Sequence, residues 1–211
     1  MKAYFSVREL VFAALTVVGM QVWTIPAIAV SLPWEISVGL LGLSNMAVAP
    51  VCSFLLAVAL VRIRKPGAVL LVTGLYALAA LLGPGIYVAT FIFMGGLFAE
   101  IVCSVLFRGY RTGPAQVAGP VLYHLGMFPA VLLLRYVGVL QNPYPNAEVW
   151  AYPIALLGIA TLSALGAVLG VKVARELVRA GKLRTDDPLT IPLAPEGDPP
   201  TPEPQKEAAG S

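Results

Sequence analysis

"GGLFAEIVCSVLFRGYR" occupies Gly95–Arg111. It is an apolar run with one carboxylate, Glu100, closing on a turn that carries Arg108 and Arg111. A carboxylate is costly inside hydrocarbon and ordinary on a soluble helix, so the rest of the chain decides the reading. Of 211 residues, 58% are hydrophobic and 12% charged, about half the charge of a typical soluble domain. Mean hydropathy is +0.83. Several windows approach the ~20 apolar residues that cross a bilayer. The stretch is therefore one span of an all-α, multi-pass membrane protein. The first apolar run, from about Leu10, precedes five more and reads as a span, not a cleaved leader.

Six transmembrane helices are predicted, at 8–30, 36–61, 67–83, 86–107, 115–139 and 149–173. The breaks are "SLPWE" (31–35), "RIRKPG" (62–67), "GPG" (83–85), "RGYRTGP" (108–114) and "QNPYPNAE" (141–148), each marked by Pro, Gly or Asn. A further break is expected near "SNMAVAP" (44–50). Lys2, Arg8, Arg62, Arg64, Lys65, Arg108, Arg111, Lys172, Arg175, Arg179, Lys182 and Arg184 all fall at helix ends on one side; the other side holds Arg135 alone. The positive-inside rule puts that side, and both termini, in the cytoplasm of a cell-membrane protein. Residues 1–184 form the transmembrane domain; 185–211, rich in Pro and acidic residues, read as a disordered cytoplasmic tail.

Several chemistries are excluded. The chain has no GxxxxGK[ST], HExxH, CxxC or GxSxG pattern, hence no P-loop, metalloprotease or hydrolase signature. A single histidine, His124, rules out a multi-histidine metal site, and Cys52 and Cys103 lie separately in apolar runs and read as small buried side chains. Neither metal nor cofactor is expected, and no enzymatic step. Transport would be secondary or powered by a partner.

At ~1.5 Å per residue, Glu100 lies about 12 Å from the cytoplasmic end of the fourth helix and His124 about 14 Å from the same side on the fifth. The two helices are antiparallel neighbours, so a Glu100–His124 hydrogen bond locking them is predicted, in line with the pairing of intramembrane carboxylates. The outer half gathers Gln21, Trp23, Trp34, Glu35, Asn45, Tyr87, Arg135 and Trp150. An interface belt accounts for aromatics in general, but all three tryptophans are on this side. Aromatic planes with amide, carboxylate and guanidinium groups also suit a small flat polar heterocycle. These eight residues are the candidate ligand site. Ala160/Ala164 and Gly166/Gly170 offer small faces for close helix packing.

"RIRKPGAVLL" (62–71) and "GGLFAEIVCSVLFRGYRTGPAQVAG" (95–119) resemble the substrate-binding S components of energy-coupling factor (ECF) vitamin transporters, within them the YkoE-like branch. The resemblance rests on Arg64-Lys65-Pro66-Gly67, Gly95-Gly96, Ala99-Glu100 and Tyr110-Arg111. It implies capture of hydroxymethylpyrimidine or thiamine from outside. Release inward would follow toppling beside a transmembrane coupling subunit and two ATPase subunits. S components often carry Ala-x-x-x-Ala on the first helix for that subunit; here Val17 and Val18 follow Ala13 and Ala14. Ala13, Ala14 and Gly19 are the docking candidates that the resemblance implies. The alternative is a stand-alone secondary transporter or channel using Glu100 and His124 as a proton relay.

Overall fold

The computed structural model describes residues 4–38, 42–83, 85–136 and 151–183, and among them all regular structure is helical. Six helices follow one another: α1 (Val7–Val38), α2 (Leu43–Arg62), α3 (Ala68–Leu81), α4 (Ile86–Phe107), α5 (Gly113–Tyr136) and α6 (Ala151–Arg179). α1, α2, α4 and α6 are long and apolar enough to cross a membrane. α3 has 14 residues, about 21 Å, which is less than the ~30 Å of a hydrocarbon core. Large apolar side chains such as Leu15, Val22, Ile101, Val105, Leu157 and Leu165 point outward around the bundle. Such a perimeter suits lipid, and this is the make-up of a multi-pass membrane protein.

The expected loop at 31–35 is instead the last part of α1, which runs unbroken through Pro26 and Pro33. Hydroxyls help to hold it: Ser31 Oγ donates to the Ala27 carbonyl at 2.6 Å and Ser37 Oγ to that of Pro33 at 2.7 Å. Proline is tolerated in such a setting because neighbouring groups satisfy the backbone. The break expected at 44–50 is likewise absent, because these residues form the first two turns of α2. α6 continues six residues beyond its expected end at 173. Lys172, Arg175 and Arg179 therefore lie on its last turns. The predicted tail, 185–211, lies outside the described residues.

α2 is the hub. One of its faces joins Met20 of α1, Val69 and Val72 of α3, and Tyr123 of α5 in the main core through Cys52, Leu56 and Leu60. The other face packs Ala57 and Val61 on Ala167, Val171 and Ala174 of α6. Gly166 and Gly170 allow this second contact. A Cβ on Gly166 would overlap the Pro50 carbonyl, and one on Gly170 that of Phe54, so the two backbones touch, as small residues permit. Cys52 and Cys103 are both buried and free.

The basic end of the bundle is tied together across the chain. Ser6 and Glu9 form a capping box at the start of α1, with Ser6 N donating to Glu9 Oε2 at 2.7 Å and Glu9 N to Ser6 Oγ at 3.3 Å. Lys65, in the α2–α3 connection, reaches the same Glu9 oxygen at 2.9 Å and the Tyr4 carbonyl at 3.1 Å. Pro66 packs against Gly109 in the α4–α5 turn, and Arg175 of α6 lies against Gly113.

Candidate ligand-binding site

Among the described helices, α2, α3 and α4 begin without a side-chain cap of their own. α2 and α3 start after Gly42 and Gly67, both with φ near +85° to +88° and neither with a side chain to accept from the first amides. In each case a carboxylate from another helix takes that role. Glu100 of α4 accepts from Gly67 N (2.6 Å) and Leu70 N (3.4 Å) at the start of α3. It also accepts from Ser104 Oγ and Tyr110 Oη, each at 3.0 Å. Glu35 of α1 accepts from Gly42 N (2.9 Å) and Ser44 N (2.8 Å), and from the Ser44 hydroxyl, at the start of α2. Negative charge at a helix N-terminus is favourable, and each carboxylate satisfies amides that would otherwise be orphaned. Burial, with Glu100 beside it, pushes the Tyr110 phenol up, so its hydroxyl stays protonated and donates.

The predicted Glu100–His124 hydrogen bond is therefore not formed. Glu100 faces α3, and neither His124 nitrogen has a hydrogen-bond partner among the described residues. The helix register explains the difference. A Cβ on Gly95 would lie 2.6 Å from the Tyr123 carbonyl, and one on Gly126 would meet Phe98. In this antiparallel pair His124 is thus level with residues 96–98, about one turn farther from the basic end than Glu100.

His124 instead lines a cavity of about 390 Å³, within the range of small-molecule sites. The cavity lies at the far end, among the later part of α1, the start of α2, the end of α3, the start of α4 and the middle of α5. Thr24, Ile28, Leu32 and Glu35 line it from α1, Ser44, Asn45 and Val48 from α2, and Tyr76 from α3. Phe91 and Ile92 come from α4, and Tyr123, Met127 and Phe128 from α5. The walls are mostly apolar and aromatic, with a few polar groups set into them. Tyr76 Oη donates to Thr24 Oγ1 at 2.8 Å, and that oxygen is 3.5 Å from Cys52 Sγ. The His124 ring stacks obliquely on Tyr123, centroids 4.7 Å apart, and is 1% exposed. A buried imidazole without a partner costs about 1–3 kcal/mol. On a cavity wall it offers a hydrogen-bonding edge to a ligand.

Of the eight predicted ligand residues, the structure brings Glu35 and Asn45 to this cavity. Glu35 serves there first as the cap of α2. Trp34 is 65% exposed and Tyr87 is also exposed. Trp23 is largely outward, its indole donating to the Ala47 carbonyl at 3.2 Å. Gln21 is half-buried on α1 and does not line the cavity. Arg135 lies in the last turn of α5, its side chain outside the described residues, as is Trp150. Trp23, Trp34 and Tyr87 thus match an outward aromatic rim better than a pocket.

Thr24 and Tyr76 were not foreseen, and His124 was expected to pair with Glu100, not to line a cavity. A signal existed on α1: Thr24, Ile28, Leu32 and Glu35 follow helical spacing. Reading 31–35 as a loop cut that stripe in two. The three docking candidates do not share a face either. Ala13 is fully buried in the core, Ala14 is exposed, and Gly19 packs toward Leu55.

No family model, curated protein or solved structure matches the chain.

Proposed function

We propose that the protein is a substrate-capture subunit of an ECF-type importer that takes a small planar molecule, hydroxymethylpyrimidine or thiamine, into the far-end cavity. The observation that carries this reading is the cavity itself, with His124, which has no hydrogen-bond partner among the described residues, on a mostly apolar and aromatic wall. Tyr76, Phe91, Tyr123 and Phe128 supply ring faces for a pyrimidine, and His124 and Asn45 supply hydrogen-bonding groups for its edge. In this reading all six helices span the cell membrane, with the basic end and both termini in the cytoplasm, so the cavity opens toward the outside. A coupling subunit and two ATPases would drive release. The proton-relay alternative draws no support from Glu100, which is engaged by four donors.

The test is mass spectrometry of small molecules that co-purify with the protein, followed by calorimetric titration with hydroxymethylpyrimidine and thiamine. Binding to wild type, lost in His124→Phe, is expected. Failure of both compounds to bind would remove the vitamin assignment. Binding undiminished in His124→Phe would remove the cavity from the argument.

A further inference from the structure

The inner face of the α3–α4 hairpin walls the cavity through Tyr76, Val88, Phe91 and Ile92, and the hairpin is held very unequally along its length. Toward the basic end it is fixed. Glu100 caps α3 and accepts from the Tyr110 hydroxyl, and Pro66 packs on Gly109. Toward the far end it is bare. Leu81, Leu82, Ile86 and Tyr87 are exposed, Leu82 at 93%, and a Cβ on Gly83 or Gly85 would meet nothing within 4 Å. Several of the inward residues of this half are small. Ala77, Ala80 and Ala89 are buried, so parting them from their neighbours uncovers little apolar area. Among the described residues, the one hydrogen bond from this half to the rest of the bundle is Tyr76 Oη to Thr24 Oγ1 of α1, at 2.8 Å.

Glycines sit at one level between the two halves. Gly95 abuts the Tyr123 carbonyl of α5, and Gly96 abuts Thr73 of α3; close approach accounts for both. Gly74, next to Thr73, is different. A Cβ there would meet nothing within 4 Å, so packing does not account for a glycine in the middle of this 14-residue helix. Glycine loosens a helix interior, and glycine pairs are among the places where helices bend sharply. The hairpin thus passes from clamped to free at the level where both of its helices are weakest. With Gly95 seated on α5, that level is also a pivot.

We propose that the far half of the hairpin, residues 75–81 of α3 and 86–94 of α4, is a flap that swings about Gly74, Gly95 and Gly96 to open the cavity, with the Tyr76–Thr24 hydrogen bond as its latch. The far half of α4 is about 14 Å long, so a bend of ~20° carries its tip about 5 Å. Hinges of this kind are a few residues that absorb the backbone change. The movement withdraws Tyr76, Val88, Phe91 and Ile92 together, and it leaves the Glu35 cap and the basic end in place. The inference rests on the cavity being a binding site, not on which molecule it takes.

The two native cysteines report the movement. Cys52 Sγ lies 3.5 Å from Thr24 Oγ1, the latch oxygen, whereas Cys103 is buried on the clamped half of α4. The experiment follows modification of each thiol by a small methanethiosulfonate in the full-length, ligand-free protein, read by peptide mass spectrometry. Tyr76→Phe keeps the ring and removes the latch. Cys52 should then react about fivefold faster, as expected for one hydrogen bond, with Cys103 unchanged. Gly74→Ala places a methyl group in open space and stiffens α3. Cys52 should react about threefold more slowly, in the wild-type and Tyr76→Phe backgrounds alike. Acceleration of Cys52 and Cys103 together means general loosening and overturns the proposal. So does a Cys52 rate that ignores Tyr76→Phe, or one that Gly74→Ala does not slow. No vitamin is added, so these outcomes stand apart from the calorimetric titration. A moving flap with no bound vitamin removes only the ligand assignment; a bound vitamin with no moving flap removes only the hinge.

Discussion

Replacing Glu100 by glutamine tests the cross-helix cap most directly. Oε1 accepts from Gly67 N and Ser104 Oγ; Oε2 accepts from Leu70 N and Tyr110 Oη. The amide oxygen will keep the tighter pair at Oε1. The new NH2 then faces Leu70 N–H and Tyr110. The phenol can rotate and accept, but the backbone amide cannot. One orphaned buried amide costs about 1–3 kcal/mol, and loss of charge at the α3 N-terminus adds about 0.3–1 kcal/mol. The expected destabilisation is about 2 kcal/mol, or roughly 4–8 °C in melting temperature for a chain of this size. Glu100→Ala, which abandons all four donors, should cost more. The assay is thermal unfolding in detergent combined with hydrogen exchange read by peptide. Amides of 67–71 should exchange faster in Glu100→Gln, while the middle of α6 is unchanged. A variant with wild-type melting and wild-type exchange at 67–71, but with lost ligand binding, would refute the capping argument and return Glu100 to a role in binding.

Other outcomes follow from the same geometry. Tyr110→Phe removes one of four donors to Glu100 and should cost only about 1 kcal/mol; a double-mutant cycle with Glu100→Gln should show coupling between them. His124→Phe removes an unpaired buried polar group, so the ligand-free variant should melt at or above the wild-type temperature while its ligand affinity falls tenfold or more by calorimetry. Gly166→Ala forces a methyl group into the Pro50 carbonyl and should destabilise by about 1–3 kcal/mol or more, measured as a lowered melting midpoint. Trp34→Ala, at an exposed position outside the cavity, should leave affinity within about twofold.

Much of the helical architecture is legible because apolar length and basic turns are strong signals. α4 falls where it is expected, residues 86–107, since Gly85 and the Arg108 turn bound it unambiguously. α1 is misread because Pro33 looks like a loop in isolation. In an apolar setting the helix absorbs it, and only then does Glu35 reach the α2 amides. The candidate site is half-legible for related reasons. Glu35 and Asn45 stand out as polar groups near the outer end. Thr24 and Tyr76 do not, because one hydroxyl on an apolar helix carries no pattern of its own. His124 is noticed, but its depth is counted from a helix start two residues late, and a slip of that size moves a side chain half a turn. Nothing in the local sequence reveals that Glu100 caps a helix 33 residues earlier in the chain, because the signal is tertiary.

The two borrowed caps differ in when they become available. Glu35 precedes α2, so the carboxylate that completes its first turn already exists when that turn is synthesised. The partner for Gly67 follows it by 33 residues. At 5–20 residues per second, the start of α3 emerges roughly 2–7 s before Glu100. α3 is also the shortest helix, at 14 residues, near the length at which isolated helices are marginal. Its completion is therefore tied to the arrival of α4, and the two enter their final arrangement as a hairpin. A ribosomal pause between Gly67 and Glu100 would prolong the interval in which the start of α3 waits for its cap.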